Sequence, residues 1–549
     1  MKFGVDYRRN RDELLQNQTF SPRGRFNFTE GTTVLATRNA AGQTTSGSTQ
    51  SYANSFASFL LDTPNSLGRD LGLIFPTFLQ RPWFSYIQDT WQVNRKLTLN
   101  LGVRHELWPP PVPRVPGGFS NFIPFTNSLI VAGVGNNPLN LGRKNYKGNF
   151  APRIGLSYRW NDKTVVRAGY GISWVPLADN GYAFNFPVRE NNSFAATSAF
   201  VPAGSMRVGF PGFVPFPIPS NGIIPNAPAS VFNYIRSDVR EAYVQSWNLA
   251  VQRALPKQLS LEVAYVGNRG VGVTGVLNMN PGLIPGAGAS GQPFNQLFGR
   301  RDAINNIFFG TGSGYHSLQT KLDRRFSNGF ALTTAYTWSK AIDTVGADNG
   351  GFAYYINPER NRARADADVR HVFVQSYIYE LPFGKGKSFA NSGLVAAIAG
   401  GWQVNGILTL QTGTPFNLSV PGTIINAPGN SNQPDLVGTY TASKGVGTHT
   451  TWFDSTVFRQ PAAGTFGNIG RNVLTGPGLG NLDFSLFRKF SITERFKAEF
   501  RVESFNITNT AKFNNPSGDI TSPNFGKVTG AQSAPNGPRE IQLGLKVTF

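Results

Sequence analysis

Apolar and polar residues alternate one by one through long stretches of this chain. Thr164, Val166, Ala168, Tyr170, Ile172 and Trp174 are largely apolar, and Val165, Arg167, Gly169, Gly171 and Ser173 between them are mostly small or polar. Leu97, Leu99, Leu101 and Val103 alternate in the same way with Thr98, Asn100, Gly102 and Arg104. So do Phe496, Ala498, Phe500 and Val502 with Lys497, Glu499, Arg501 and Glu503. A strand turns successive side chains to opposite faces, so period two predicts strands with one apolar and one wet face. The segments reach about 10 residues, longer than the roughly 5–6 of globular strands but suited to a tilted crossing of a bilayer.

These segments fall in pairs. Residues 83–93 and 97–107 flank Asn94-Arg95-Lys96, and residues 152–159 and 164–175 flank Asn161-Asp162-Lys163. Residues 242–253 and 258–267 flank Leu255-Pro256-Lys257, and residues 481–490 and 495–508 meet around Ile492-Thr493-Glu494. Residues 316–326 and 329–340 meet at Ser327-Asn328, where Asn328-Gly329 is a favoured hairpin turn. A sixth pair, 368–381 and 402–413, has a longer connector, 382–401. Between the pairs lie Gly/Pro/Asn-rich stretches at 108–149, 176–241, 268–315, 341–367, 414–480 and 509–538. Soluble domains seldom carry structureless connections beyond about 12–15 residues. Short turns at one end and long loops at the other are the asymmetry of outer-membrane barrels. The expected fold is therefore all-β: an antiparallel transmembrane outer-membrane β-barrel with short periplasmic turns and long extracellular loops. Residues 2–9, the six pairs and a final strand give about 14 strands, to which 23–29 could add.

Aromatic residues sit near the segment ends: Trp83, Trp108, Trp160, Trp174, Trp338 and Trp402, with Tyr158, Tyr336 and Tyr379. Rings of this kind prefer the headgroup level of a membrane. In the last segment Ile541, Leu543, Leu545, Val547 and Phe549 alternate with Gln542, Gly544, Lys546 and Thr548. Leu543, Leu545, Val547 and the terminal Phe549 resemble the signal that the barrel-assembly machinery reads. With the short turns periplasmic, this strand runs inward.

Composition narrows the alternatives. Charged residues are 15% of the 549, against roughly 25% in soluble domains, and Gly (61), Phe (44) and Pro (37) are plentiful. No apolar run approaches the roughly 20 residues of a membrane helix; the best is 393–400. A mean hydropathy of −0.22 is compatible with strands that turn only every second residue to lipid. With no cysteine, disulfides and cysteine metal sites are excluded. The net charge of +21 is spread without a basic block, which argues against nucleic acid and for a basic lumen or contacts with anionic headgroups, including lipopolysaccharide. The chain begins directly on an alternating segment, Met1-Lys2-Phe3-Gly4-Val5-Asp6-Tyr7, without an export signal.

The order of several motifs resembles a known family. Phe56-Ala57-Ser58-Phe59-Leu60-Leu61-Asp62 comes first, then Tyr86-Ile87-Gln88-Asp89-Thr90-Trp91 and the segment Leu97 to Arg104. Asn149-Phe150-Ala151-Pro152-Arg153-Ile154-Gly155 and Val166-Arg167-Ala168-Gly169-Tyr170-Gly171 follow. Asp368-Val369-Arg370-His371, Leu381-Pro382-Phe383-Gly384-Lys385-Gly386 and Gly401-Trp402-Gln403-Val404-Asn405-Gly406 complete the series. Together they resemble the Oar-like, acidobacterial type of TonB-dependent transporter. The resemblance implies energised uptake of a nutrient across the Gram-negative outer membrane, through a 22-stranded barrel that holds a plug. It also implies a signal peptide and a TonB box, which residues 1–549 do not display, so the expectation is a C-terminal part of the barrel domain, unable to couple to the TonB complex alone.

The sequence offers little other chemistry. The histidines His105, His316, His371 and His449 are too scattered for a metal triad. Asp366-Ala367-Asp368 lacks the Gly and distal Glu of a calcium loop, Gly312-Ser313-Gly314 precedes no helix, and no Gly-Xaa-Ser-Xaa-Gly occurs. Neither an enzyme nor a cofactor is expected. Candidate contacts for the unknown transported ligand are the loop aromatics Tyr182, Phe184, Phe186, Tyr354 and Tyr355, with packing of the loops over the mouth as their alternative role. A second reading is a secreted or surface-exposed all-β binding or adhesion protein.

Overall fold

A computed structural model of the chain describes residues 1–13, 21–29, 33, 37–38, 44–45, 52–71, 77–176, 185–186, 190–196, 201–212, 217–227, 231–346, 350–447, 449–493, 495–532 and 537–549. Fourteen strands follow one another as neighbours in a single antiparallel ladder. They are β1 (Lys2–Tyr7), β2 (Trp83–Gln92), β3 (Leu97–Leu107), β4 (Phe150–Asn161) and β5 (Thr164–Val175). Then come β6 (Ala242–Leu255), β7 (Leu259–Asn278), β8 (Ile304–Ser327), β9 (Phe330–Asp343) and β10 (His371–Glu380). β11 (Trp402–Gln411), β12 (Leu479–Ser491), β13 (Lys497–Phe505) and β14 (Glu540–Thr548) finish the series. The hairpins lie where turn residues and alternation place them. Asn328 and Gly329 both take positive φ, as a two-residue hairpin turn requires. The long connector after β10 carries a short helix, Gly393–Ala399. Among the described residues no helix is long and apolar enough to cross a membrane.

Two expectations are corrected. The Gly/Pro/Asn content of residues 268–315 predicts a loop, yet β7 runs on to Asn278 and β8 begins at Ile304, making strands of 20 and 24 residues. Glycines (Gly270, Gly272, Gly275, Gly310, Gly312, Gly314) interrupt the alternation there, and a register shift around Val273 breaks its phase. The segment at 23–29 forms a strand, Arg25–Asn27, but it pairs with Ser66–Leu71 in a small separate sheet and adds nothing to the ladder.

Among the described residues the outer edges of β1 and β14 pair with no other strand.

Register divides the ladder into two faces. Directly opposed residues share a face, so Phe3, Ile87, Val103 and Pro152 form one apolar row, and Leu249, Tyr265, Leu318 and Trp338 another. These side chains have no core to enter. Ile87 is 44% exposed, Ile154 51%, Leu249 51% and Trp338 54%. An apolar wall this open to its surroundings fits lipid as the solvent. On this face aromatic residues recur eight positions apart: Trp83 and Trp91 on β2, Phe330 and Trp338 on β9. At about 3.3 Å per residue and a tilt near 40°, eight residues span roughly 20 Å, close to the height of the apolar band between aromatic girdles. The true hydrophobic cores lie in the loops and at the loop-side end of β8. One contains Phe78, Phe119, Ile235 and Ile307, a second Phe122, Leu129, Phe232 and Phe294, a third Phe416, Leu418, Phe453 and Phe458.

Candidate functional site

The opposite face of the ladder is polar, and its most open part lies on β1 to β5. Lys2 opposes Gln88, Gln88 opposes Gly102, Gly102 opposes Arg153, and Arg153 opposes Gly171. One row across five strands thus carries two cations and an amide, with glycines between them. Toward the loop end Tyr86 opposes Arg104, and toward the short-turn end Thr90 opposes Asn100 and Asn100 opposes Gly155. All of these residues except Gly171 line a cleft of about 630 Å³. Arg104 is held by Glu106 at 3.3 Å and lies over the Phe84 ring at 4.5 Å. Lys2, Arg153 and Arg167 are exposed, and none of the three forms an ion pair with a described residue. Thr90 donates to Asn100 at 2.9 Å, which fixes that amide against the wall. On β7 to β9 and on β12 to β13 the same face is internally neutralised. There Lys321 meets Asp323 at 2.8 Å, and Glu499 pairs with Lys489 and Arg501. On β1 to β5 Asp6 and Glu106 pair with Arg8 and Arg104, and Lys2, Arg153 and Arg167 leave a net positive field that can hold anions.

Sequence reasoning did not single out this row. Its members are the wet positions of separate strands, and only the register brings them together. The signal present was the wet alternation Thr98, Asn100, Gly102, Arg104.

The loop aromatics have separate settings. Tyr182 and Phe184 lie outside the described residues. Phe186 is 5% exposed inside the second loop core, and its carbonyl accepts from the Ser120 hydroxyl. Tyr354 is 1% exposed beside Phe466, and burial pushes its hydroxyl pKa up. Burial does the same to Tyr355, whose hydroxyl accepts from the Asn278 backbone N–H at 2.9 Å. Packing between loops is what the three described rings do in this structure. Leu543, Leu545 and Val547 face outward on β14, opposite Val502, Phe500 and Ala498, and the Phe549 ring lies 6.2 Å from that of Phe496.

The loop cap is tied by buried cations. The Arg300 guanidinium lies 5.3 Å from the Phe122 ring centre and 5.4 Å from that of Phe232, and its Nε donates to Asn127 Oδ1 at 2.8 Å. Its head also donates to the Ala227 carbonyl. Burial pulls its pKa below the ordinary value, yet arginine stays charged. Replacing Arg300 with Ala is expected to cost about 2–3 kcal/mol in the loop core, since charged hydrogen bonds and ring contacts go together. Faster proteolysis of the loop segments 119–132, 217–227 and 279–303, with the ladder still protected, is the outcome to look for.

Two of the four histidines serve the wall. Tyr265 and His316 share a hydrogen bond at 2.6 Å, and Tyr336 and His371 one at 2.8 Å, both on the apolar face. Asp366 lies 3.6 Å from Arg471, and Asp368 accepts from the Ala341 N–H at 2.7 Å and from Arg364 at 3.0 Å. Among the described residues no group of three or more His, Asp or Glu is arranged to hold a metal.

Comparison with known proteins gives one family match: the model described as outer membrane beta barrel domain covers residues 1–542. Among curated protein sequences none matches the chain. Solved structures that resemble it include the ferripyoverdine receptor of Pseudomonas aeruginosa bound to ferripyoverdine, at 11% identity and a TM-score of 0.42, over 86% of this chain and 39% of that one. The ferric-catecholate import receptor Fiu of E. coli K12 matches at 11% identity and 0.40, over 88% and 46%. The ferric yersiniabactin uptake receptor FyuA of Yersinia pestis matches at 10% and 0.36, also over 88% and 46%. The chain spans less than half the length of each of these three.

Proposed function

Because the chain belongs to the outer membrane beta barrel domain family, we propose that it forms the wall and outer cap of a nutrient receptor of the TonB-dependent type, passing an anionic solute along its polar face. The observation that carries the reading is the set of cations Lys2, Arg153 and Arg167, none in an ion pair with a described residue, on the polar face of a ladder whose other face is apolar. The ordered motifs from Phe56 to Gly406 support the transporter type, of the Oar-like branch. In this family the short turns face the periplasm and the loops face outward. The loop cores then form a cap above the wall, and a solute admitted by the cap meets cations next. Coupling to the TonB complex would run through a plug of the kind such transporters carry, and assembly through the barrel machinery that reads Leu543, Leu545, Val547 and Phe549.

The wall has a physical role that needs no chemistry. Weakly paired cations hold an anion without desolvating it fully, so it can enter and leave. Gly102, Gly155 and Gly171 keep side chains out of the path between them. The test is charge reversal with the full chain in proteoliposomes: Arg153→Glu together with Arg167→Glu. Uptake or leak of polyanionic iron chelates is expected to fall at least tenfold, with that of neutral sugars unchanged. Equal loss for anions and neutral solutes would refute a charge-selective wall. Unchanged anion passage would place the selective step elsewhere.

A further inference from the structure

A second cleft lies on the other face of the ladder, and nothing in the transport reading uses it. Its volume is about 690 Å³, and its lining includes Trp247, His316, Arg269, Lys340 and Arg362, with a floor of glycines. Register fixes its place. Trp247 opposes Gly267, Gly267 opposes His316, and His316 opposes Lys340, one row above Tyr265, Leu318 and Trp338. Those three belong to the apolar wall, so the cleft opens toward lipid. The next row up joins Arg269 to Gly314 and Gly314 to Ile342.

Height above the short turns matters next. Lys340 stands ten residues beyond Phe330, the first residue after its turn. At about 3.3 Å per residue and a tilt near 40°, this is roughly 25 Å, the far edge of the apolar band. The cations therefore sit at the headgroup level of the outer leaflet, immediately above the aromatic girdle.

The floor of the cleft is backbone. A side chain at Gly314 would meet nothing within 4 Å, so this position leaves an open trough. At Gly267 the Trp247 indole occupies the space instead, its Nε1 within 2.6 Å of where a Cβ would stand. That ring lies 6.0 Å from His316, and Tyr265 holds His316 from below. Apolar rings thus form the lower wall and cations the upper rim. Arg269, Lys340 and Arg362 are exposed, and none of them forms a hydrogen bond through its side chain, or an ion pair, with a described residue. Three unpaired cations around a trough, with aromatic rings on its membrane side, match a ligand that is anionic above and apolar below.

We propose that this cleft binds a phosphorylated glycolipid of the outer leaflet, its phosphate held by Arg269, Lys340 and Arg362 and its acyl chains lying along Tyr265, Leu318 and Trp338. The site stands on the outward face, so it is independent of what crosses the polar one. Bound lipid would brace β6 to β9, among them β7 and β8, which carry the tall loop-side extension.

The full chain, folded in detergent, is incubated with bisphosphorylated lipid A and bound lipid is counted by native mass spectrometry. Wild-type protein is expected to retain lipid A, and the triple variant Arg269→Ala, Lys340→Ala, Arg362→Ala to lose at least tenfold in apparent affinity. Gly314→Trp keeps every cation and fills the trough, and it too is expected to lose binding. Arg153→Ala with Arg167→Ala, on the other face, is expected to bind as wild type. Heat-modifiable migration in gels shows that each variant is folded. Lipid A bound equally by the triple variant overturns the proposal. So does competition by inorganic phosphate at millimolar concentration as strong as that of lipid A, which would make the site one for free anions.

Discussion

Ile154→Arg is expected to destabilise the membrane-inserted protein by about 2–4 kcal/mol, the cost of a cation near the midplane on the lipid face of a barrel. Ile154 opposes Leu101 on β3 and Tyr170 on β5, and it is 51% exposed on the apolar face. Its neighbour Arg153 already carries a cation, but on the polar face, opposite Gly102 and Gly171. Two adjacent residues thus face different solvents. Exchanging charge between them tests the division of faces more directly than any single deletion. Urea unfolding in lipid vesicles would measure it: Ile154→Arg should lower the midpoint clearly, Arg153→Leu little. Similar small effects at both positions would mean that the two faces see the same medium.

Arg471→Ala is expected to have the second large effect, about 3–5 kcal/mol within the loop cap. Arg471 is nearly buried, donates to the Asp343 carboxylate and lies 3.6 Å from Asp366. Asn472 beside it donates to the Arg364 carbonyl at 2.8 Å and to Asp366 at 2.6 Å. This knot fastens the loop after β11 to the end of β9. Removing the guanidinium leaves Asp343 buried without its cation, which costs more than the pair contributes when whole. Hydrogen exchange should show residues 412–478 opening while β11 and β12 stay protected. The double variant Asp343→Asn, Arg471→Met should recover most of the loss, because no lone charge then remains buried.

The ladder was legible in the sequence because its determinants are local. Asn328-Gly329 sets a turn, and Leu97 to Arg104 sets two faces without reference to any other strand. The upper halves of β7 and β8 were not, because glycine carries no face and the shift near Val273 changes phase. Nor were the loop contacts. Arg300 to Asn127 and Arg471 to Asp343 each join residues more than a hundred positions apart, and nothing in either neighbourhood names its partner. The polar-face cations show the same limit. Lys2, Arg153 and Arg167 are ordinary wet positions until pairing aligns five strands.

The two unpaired edges have a geometric consequence. Fourteen strands about 4.8 Å apart, tilted near 40°, would bend into a ring about 28 Å across, and each strand inserted at the seam would widen it by about 2 Å. An edge left open in lipid exposes amide groups at several kcal/mol apiece, so the seam is always filled by something. What fills it decides the bore. The size of solute that fits, and whether the passage needs a stopper, are thus properties of the seam between β1 and β14, while the wall described above decides only the sign of charge that is welcome.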